Sequence, residues 1–319
     1  MICKKIALWE GRDDVFLYTF LRECRPNPML PVEQEALPAV IVCPGGAYMF
    51  CSMENEGDAI AMSFVSTGYQ AFVLEYTVGS RCGDNDSRHP AQLFDLARAF
   101  LIIRENAKQW HVDTQRIALV GFSAGANLCA NMATHWHESF LSERFGEVKG
   151  FFRPMAAILG YPLTDYAYQE EYNSTLPPNP MLMAGNEAVF GTATPSPEQM
   201  AEMSPCLHVS GNTPPIFMAH AVNDTLVPVG HSLKMAAALS EKGRPYELHI
   251  FQNGEHGFAD GMPEGVGFYR RDKQKSAGVW LPLAQKWLLR HAAPETAEHD
   301  FCIADAIKAD AAKARGEGK

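Results

Sequence analysis

The run Arg116-Ile117-Ala118-Leu119-Val120-Gly121-Phe122-Ser123-Ala124-Gly125-Ala126-Asn127-Leu128 decides the fold. Ile117-Ala118-Leu119-Val120 is a short apolar run of the kind a fully buried strand makes. From Ala124 small residues open a pattern that reads as a helix over residues 124–136. Between the two lies Gly121-Phe122-Ser123-Ala124-Gly125, a G-x-S-x-G sequence. A serine at so sharp a strand-to-helix turn is held in a strained backbone conformation that exposes its hydroxyl. Glycine on each side lets neighbouring chain pass close. The helix N-terminus then aims backbone N–H groups at the place where negative charge would develop. A surface turn of similar composition would need neither the strand before nor the helix after.

Outward from this turn, apolar runs alternate with helical patterns, which predicts βα repeats around a largely parallel sheet. Residues 5–9 and 15–21 are expected to pair as an antiparallel opening. A Pro-rich linker (Pro26, Pro28, Pro31) follows, then strands at 39–43 and 70–76 separated by a helix at 56–66. Pro90 stands where a helix would start. Further strands are read at 156–159, 216–221 and 246–251, with helices at 232–242 and 279–290. Residues 161–214 break the rhythm. They are rich in Pro, Asn, Met and Tyr and too long for a plain connection, so we read them as an insertion capping the C-terminal edge of the sheet. The expected organisation is one domain over residues 1–291 and a tail at 292–319.

Pro44-Gly45-Gly46-Ala47-Tyr48 follows the strand at 39–43, where a second set of amide donors belongs; a plain tight turn is the alternative. Gly46, Ala47 and Ala124 are the candidate donors. A serine hydroxyl needs an adjacent base. Asp224 lies just after the strand at 216–221, and His256 just after the strand at 246–251. The interval between them fits one strand–helix–strand step. His220 and His249 lie within strands, where side-chain hydrogen bonding or surface placement explains them better. Asp165 is the rival carboxylate, after an earlier strand.

Composition narrows the classes. With 27 Lys and Arg against 37 Asp and Glu the formal net charge is −10, which disfavours nucleic acid and anionic lipid as partners. No stretch approaches the ~20 apolar residues of a membrane span, and the N-terminus lacks an apolar core before Glu10. The eight cysteines have no CxxC spacing and read as reduced core thiols. These features point to the cytoplasm, with no metal site.

Pro44–Tyr48, Gly121–Gly125, Asn223–Pro228 and Gly254–Phe258 together resemble the acetyl esterase/lipase branch of the α/β-hydrolases, in particular bacterial acetylxylan-esterase-like carbohydrate esterases. His89-Pro90-Ala91, Tyr161-Pro162 and Thr213-Pro214-Pro215 support it, over roughly residues 36 to 291. Pro44 and Ala47 depart from the common HGGG form of the loop. The resemblance implies a three-layer αβα sandwich, with catalysis on Ser123, Asp224 and His256 and no cofactor. The expected partner is a small ester, and a homodimer is compatible with the reading. A peptidase, or a non-catalytic small-molecule receptor on the same fold, are the rivals. Tyr48, Tyr161 and Asp165 are expected to contact substrate. Met181, Met183, Phe190, Met200 and Met203 either wall the pocket or anchor the insertion.

Overall fold

Parallel strands need crossover helices, and helices on both faces bury the middle of the sheet, so its central strands read as apolar runs. The computed structural model describes residues 1–23, 36–83, 86–146, 150–259 and 277–292. The Pro-rich linker, and all but the first residue of the expected tail, lie outside the described residues. β1 (Ile2–Ala7) and β2 (Phe16–Leu21) are antiparallel, and β2 pairs antiparallel with β4 (Gln70–Glu75). The remaining pairings, through β3 (Leu37–Cys43), β5 (Val112–Phe122), β6 (Ala157–Gly160), β7 (Ile216–Ala221) and β8 (Tyr246–Phe251), are parallel. The spatial order is β1-β2-β4-β3-β5-β6-β7-β8.

Alternation along the strands sorts the core into two layers. Ile41, Phe72, Leu119, Leu159 and Met218 face α2 (Ala91–Glu105), α4 (Ala124–His135) and α9 (Gly230–Glu241), and α3 (Ala107–Trp110) and α5 (Ser139–Phe145) join this layer. Val40, Val42, Val73, Val120 and Phe217 face α1 (Ala59–Ser66) and α10 (Trp280–Ala292) on the other side. The helix expected at 56–66 begins instead as a π-helical stretch, Met53–Asp58, and becomes α-helical at Ala59. The thiols of Cys43, Cys129 and Cys206 are buried, whereas Cys3 is exposed.

The stretch 161–214 holds three short α-helices, each started by a side-chain cap. Asp165 caps α6 (Tyr166–Ser174) and Asn179 caps α7 (Pro180–Phe190). Ser196 and Gln199 form a capping box at α8 (Pro197–Glu202). β3, β5, β7 and β8 run parallel, so the loops at their C-terminal ends gather at one edge of the sheet. Those loops carry Gly46, Ser123, Asp224 and His256.

Candidate active site

Ser123 sits between β5 and α4 with φ 51° and ψ −118°, a conformation that β-carbon-bearing residues adopt only under constraint. The constraint is close packing. A Cβ at Gly121 would come within 2.4 Å of the Gly125 carbonyl, and one at Gly125 within 2.1 Å of the Cys43 carbonyl. Only glycine allows the start of α4 to press so tightly on β3 and β5. The serine amide donates to Gly160 O at 3.0 Å, which pins the turn to β6.

From this turn a hydrogen-bonded chain runs through three residues brought together from distant loops. Ser123 Oγ lies 2.9 Å from His256 Nε2, and His256 Nδ1 lies 2.7 Å from Asp224 Oδ2. With the carboxylate accepting, Nδ1 carries the proton and Nε2 is the acceptor facing the serine. Asp224 Oδ1 accepts the amides of Leu226 and Val227 at 3.0 and 2.9 Å. Burial alone would raise the Asp224 carboxyl, but hydrogen bonds from His220 and His256 outweigh it and hold it well below the usual carboxylate range. The loop carrying His256 is fixed by Asn223, whose Oδ1 accepts the amides of Gly254 and Glu255.

His220 was legible only as a strand histidine. The structure buries it completely: Nδ1 lies 2.8 Å from Ser232 Oγ, and Nε2 lies 2.8 Å from Val227 O and 3.3 Å from Asp224 Oδ2. Since Val227 O can only accept, Nε2 carries the hydrogen and shares it with Asp224, while Nδ1 accepts from the Ser232 hydroxyl.

Gly46, Ala47 and Ala124 all border the pocket beside Ser123. Gly46 (φ 138°), Ala47 (φ 53°) and Tyr48 (φ 60°) turn the loop back on itself, and the amides of Met49 and Phe50 close it onto the Gly46 carbonyl. Helix α7 rests directly on this loop, since a Cβ at Gly185 would lie 2.4 Å from Ala47 O.

The pocket in front of Ser123 encloses about 360 Å³. Its lining mixes apolar side chains, among them Leu163, Met181, Leu182, Met200 and Val227, with polar ones, among them Asn55, Gln169, Glu170, Asn173 and Asn186. The structure thus divides the methionines and phenylalanine of the insertion. Met181 and Met200 wall the pocket, Phe190 and Met203 are buried as anchors, and Met183 is exposed.

Two expected substrate contacts are corrected. Tyr161 has no exposed surface; its ring lies beneath the site, edge to face with His256 at 4.9 Å. Asp165 is buried as the cap of α6 and pairs with Lys234 at 2.9 Å, so its carboxylate is engaged away from the pocket. Tyr48 does border the pocket, but it is 3% exposed and its hydroxyl is spent on Asn127 Oδ1 at 2.7 Å, so that hydroxyl is not free for a ligand. Sequence reasoning missed Glu56, a buried acid between the Gly45 amide and the Tyr161 hydroxyl. Its one signal was an acid at the start of an otherwise apolar helical pattern.

Among the described residues no cluster of His, Cys, Asp and Glu has the arrangement to hold a metal ion, and no helix is long and apolar enough to cross a membrane.

Comparison with known proteins supplies independent context. The BD-FAE family profile matches residues 29–239, which include Ser123 and Asp224 and stop before His256. The chain is 32% identical over 219 residues to an endo-1,4-beta-xylanase B of Butyrivibrio fibrisolvens, covering 68% of this chain and 32% of that protein. It is 27% identical over 225 residues to an acetylxylan esterase of Xylanibacter ruminicola, covering 70% of this chain and 41% of that one. It thus spans about a third of the first relative and two fifths of the second. Among solved structures, the acetyl ester-xyloside bifunctional hydrolase of Caldicellulosiruptor lactoaceticus superposes with a TM-score of 0.67 at 28% identity, over 90% of this chain and 96% of that one. The fold is that of the α/β-hydrolases.

Proposed function

This chain belongs to the BD-FAE family, and we propose that it hydrolyses small carboxylic esters, chiefly short acyl esters such as acetates of carbohydrate-like alcohols, through an acyl-enzyme on Ser123. The observation that carries this reading is the Ser123–His256–Asp224 hydrogen-bonded chain opening onto a pocket lined by both apolar and polar side chains.

His256 Nε2 takes the proton of Ser123 Oγ as that oxygen attacks the ester carbonyl. The resulting oxyanion is met by the amides of Gly46, Ala47 and Ala124, preorganised donors that need not reorient during reaction. Collapse of the tetrahedral adduct expels the alcohol, which receives the proton from His256 and leaves the acyl group on Ser123. Water then repeats the cycle, with His256 again acting first as base and then as acid. Asp224 holds the imidazole tautomer and stabilises the imidazolium that forms twice per turnover.

The polar part of the lining suits a hydroxyl-rich alcohol, through Asn55, Asn173 and Asn186. Names of relatives agree with this: one is an acetylxylan esterase and one an acetyl ester-xyloside hydrolase. The free thiols buried in the core favour a reducing compartment, and we extend the proposal to the cytoplasm.

The test is kcat/KM for acetyl, butyryl and octanoyl nitrophenyl esters, beside acetate release from acetylated xylo-oligosaccharides. Each methylene that a pocket rejects is worth about 1–3 kcal/mol, so acetate should clearly exceed octanoate. Octanoate as best substrate, with no acetate released from the sugars, would remove the carbohydrate-ester part of the proposal and leave the hydrolase.

A further inference from the structure

Glu56 is a carboxylate buried at the foot of the pocket, 7% exposed, on the π-helical turn that follows the Gly45–Tyr48 loop. Both of its oxygens are engaged. Oε2 accepts the Gly45 amide at 2.7 Å, and Oε1 accepts the Tyr161 hydroxyl at 2.6 Å. The Tyr161 oxygen in turn accepts the Ala259 amide at 3.2 Å, and its ring contacts His256. Gly45 leads directly into Gly46 and Ala47, while Ala259 follows His256 by three residues on the same loop. A hydrogen-bonded chain therefore joins the two loops that flank Ser123, and Glu56 is its one charged member.

We propose that Glu56 is a positioning residue for the reaction at Ser123, holding the amides of Gly46 and Ala47 and, through Tyr161, the His256 loop in register with the serine. The inference rests on the ester-hydrolase reading above. Packing leaves Glu56 little freedom to do anything else. A Cβ on Gly45 would fall 2.8 Å from Glu56 Oε2 and 2.9 Å from Ser123 Cβ, so Gly45 is wedged between the carboxylate and the serine. Burying a carboxylate is costly where an apolar side chain would fill the same space. The cost is offset here only by bonds to the two loops. Burial pushes the Glu56 carboxyl up, while the Tyr161 hydroxyl, the Gly45 amide and nearby His256 pull it back down. The Gly45 amide can only donate and the Tyr161 hydroxyl donates to Oε1, so an amide in its place keeps both contacts only by turning the Tyr161 hydroxyl away from its present bond.

The experiment uses the full chain and two variants, Glu56→Gln and Tyr161→Phe. Each is measured for kcat and KM on the best nitrophenyl ester, for inhibition by a trifluoromethyl ketone of matching acyl group, and for thermal unfolding. Small displacements of preorganised groups cost up to about 100-fold, so Glu56→Gln should lower kcat roughly 10- to 100-fold with KM changed less than about twofold. The ketone, whose adduct with Ser123 places an oxyanion among the same amides, should bind more weakly by the same factor as kcat/KM falls. Tyr161→Phe keeps the Gly45 bond and should lose a smaller part of kcat. A folded Glu56→Gln enzyme with wild-type kcat would overturn the inference, as would a lowered melting temperature with kcat intact. Should Glu56→Gln not fold, Tyr161→Phe with unchanged kcat overturns it instead. A folded wild-type chain that cleaves no ester and does not bind the ketone overturns the hydrolase reading and this inference together.

Discussion

His220 Nε2 stands 3.3 Å from Asp224 Oδ2, the same oxygen that receives His256 Nδ1 at 2.7 Å. Two histidines thus serve one buried carboxylate, and only the second reaches the serine. His220 is tied to the turn after β7 by its bond to Val227 O and to α9 by Ser232. It fixes where the carboxylate points and helps keep it ionised.

From this arrangement, His220→Ala should lower kcat/KM roughly 10-fold, since a hydrogen bond to a charged group is worth about 1.5–3 kcal/mol and only part of it is felt in the transition state. Asp224→Asn sets the upper limit, with a loss of roughly 10⁴-fold by analogy with other triads. Ser232→Ala, which leaves the contact with Asp224 in place, should do less than His220→Ala. Steady-state kinetics on one ester, with unfolding curves to confirm the fold, gives the comparison. Wild-type kcat/KM in a folded His220→Ala enzyme would reduce His220 to a packing residue.

His231 gives stability a pH dependence. Its Nδ1 accepts the amides of Thr164 and Asp165, and its Nε2 bonds Gln169 Oε1 at 2.9 Å, so the ring is neutral and cannot be protonated without losing the first pair. Burial lowers it to about 3 from the usual 6.5. A depressed folded-state value means that the unfolded chain binds the proton first, so stability is full above about 6.5 and falls as pH drops towards 3. From about pH 7 to about pH 5 the loss is about 2 kcal/mol from this residue. His89, lowered by burial to about 4, adds to the same slope. Denaturant unfolding of wild type and His231→Gln across that range should show a weaker slope in the variant, from a lower starting stability. Equal slopes would contradict the neutral, buried assignment.

Much of this was legible in the sequence because local pattern and chain order carry it. Strands β7 and β8 were read to the residue, where the alternation of strand and helix patterns resumes after residue 214. The Gly121–Gly125 turn was readable because only glycine satisfies its packing. Asp224 and His256 followed from their places after β7 and β8. What stayed hidden depends on contacts between distant segments. Tyr161 looks like a ligand-facing aromatic at a strand end, yet Glu56, far earlier in the chain, draws its hydroxyl inward. Asp165 resembled a free acid near the site, but a cap position and Lys234 claim it. His220 fits a strand pattern, and its contact with Asp224 arises only when the turn after β7 folds back. Side-chain direction at strand ends is settled by such partners, which spacing does not reveal.

The central claim, that Ser123 is the nucleophile of an ester hydrolase, is tested most directly by labelling the purified chain with a fluorophosphonate and mapping the adduct by peptide mass spectrometry. The account predicts one adduct, on the peptide carrying Ser123, with loss of ester turnover in proportion to labelling. It also predicts that Ser123→Ala unfolds like wild type but neither labels nor turns over. An adduct on another residue, or ester turnover surviving in Ser123→Ala, would contradict it.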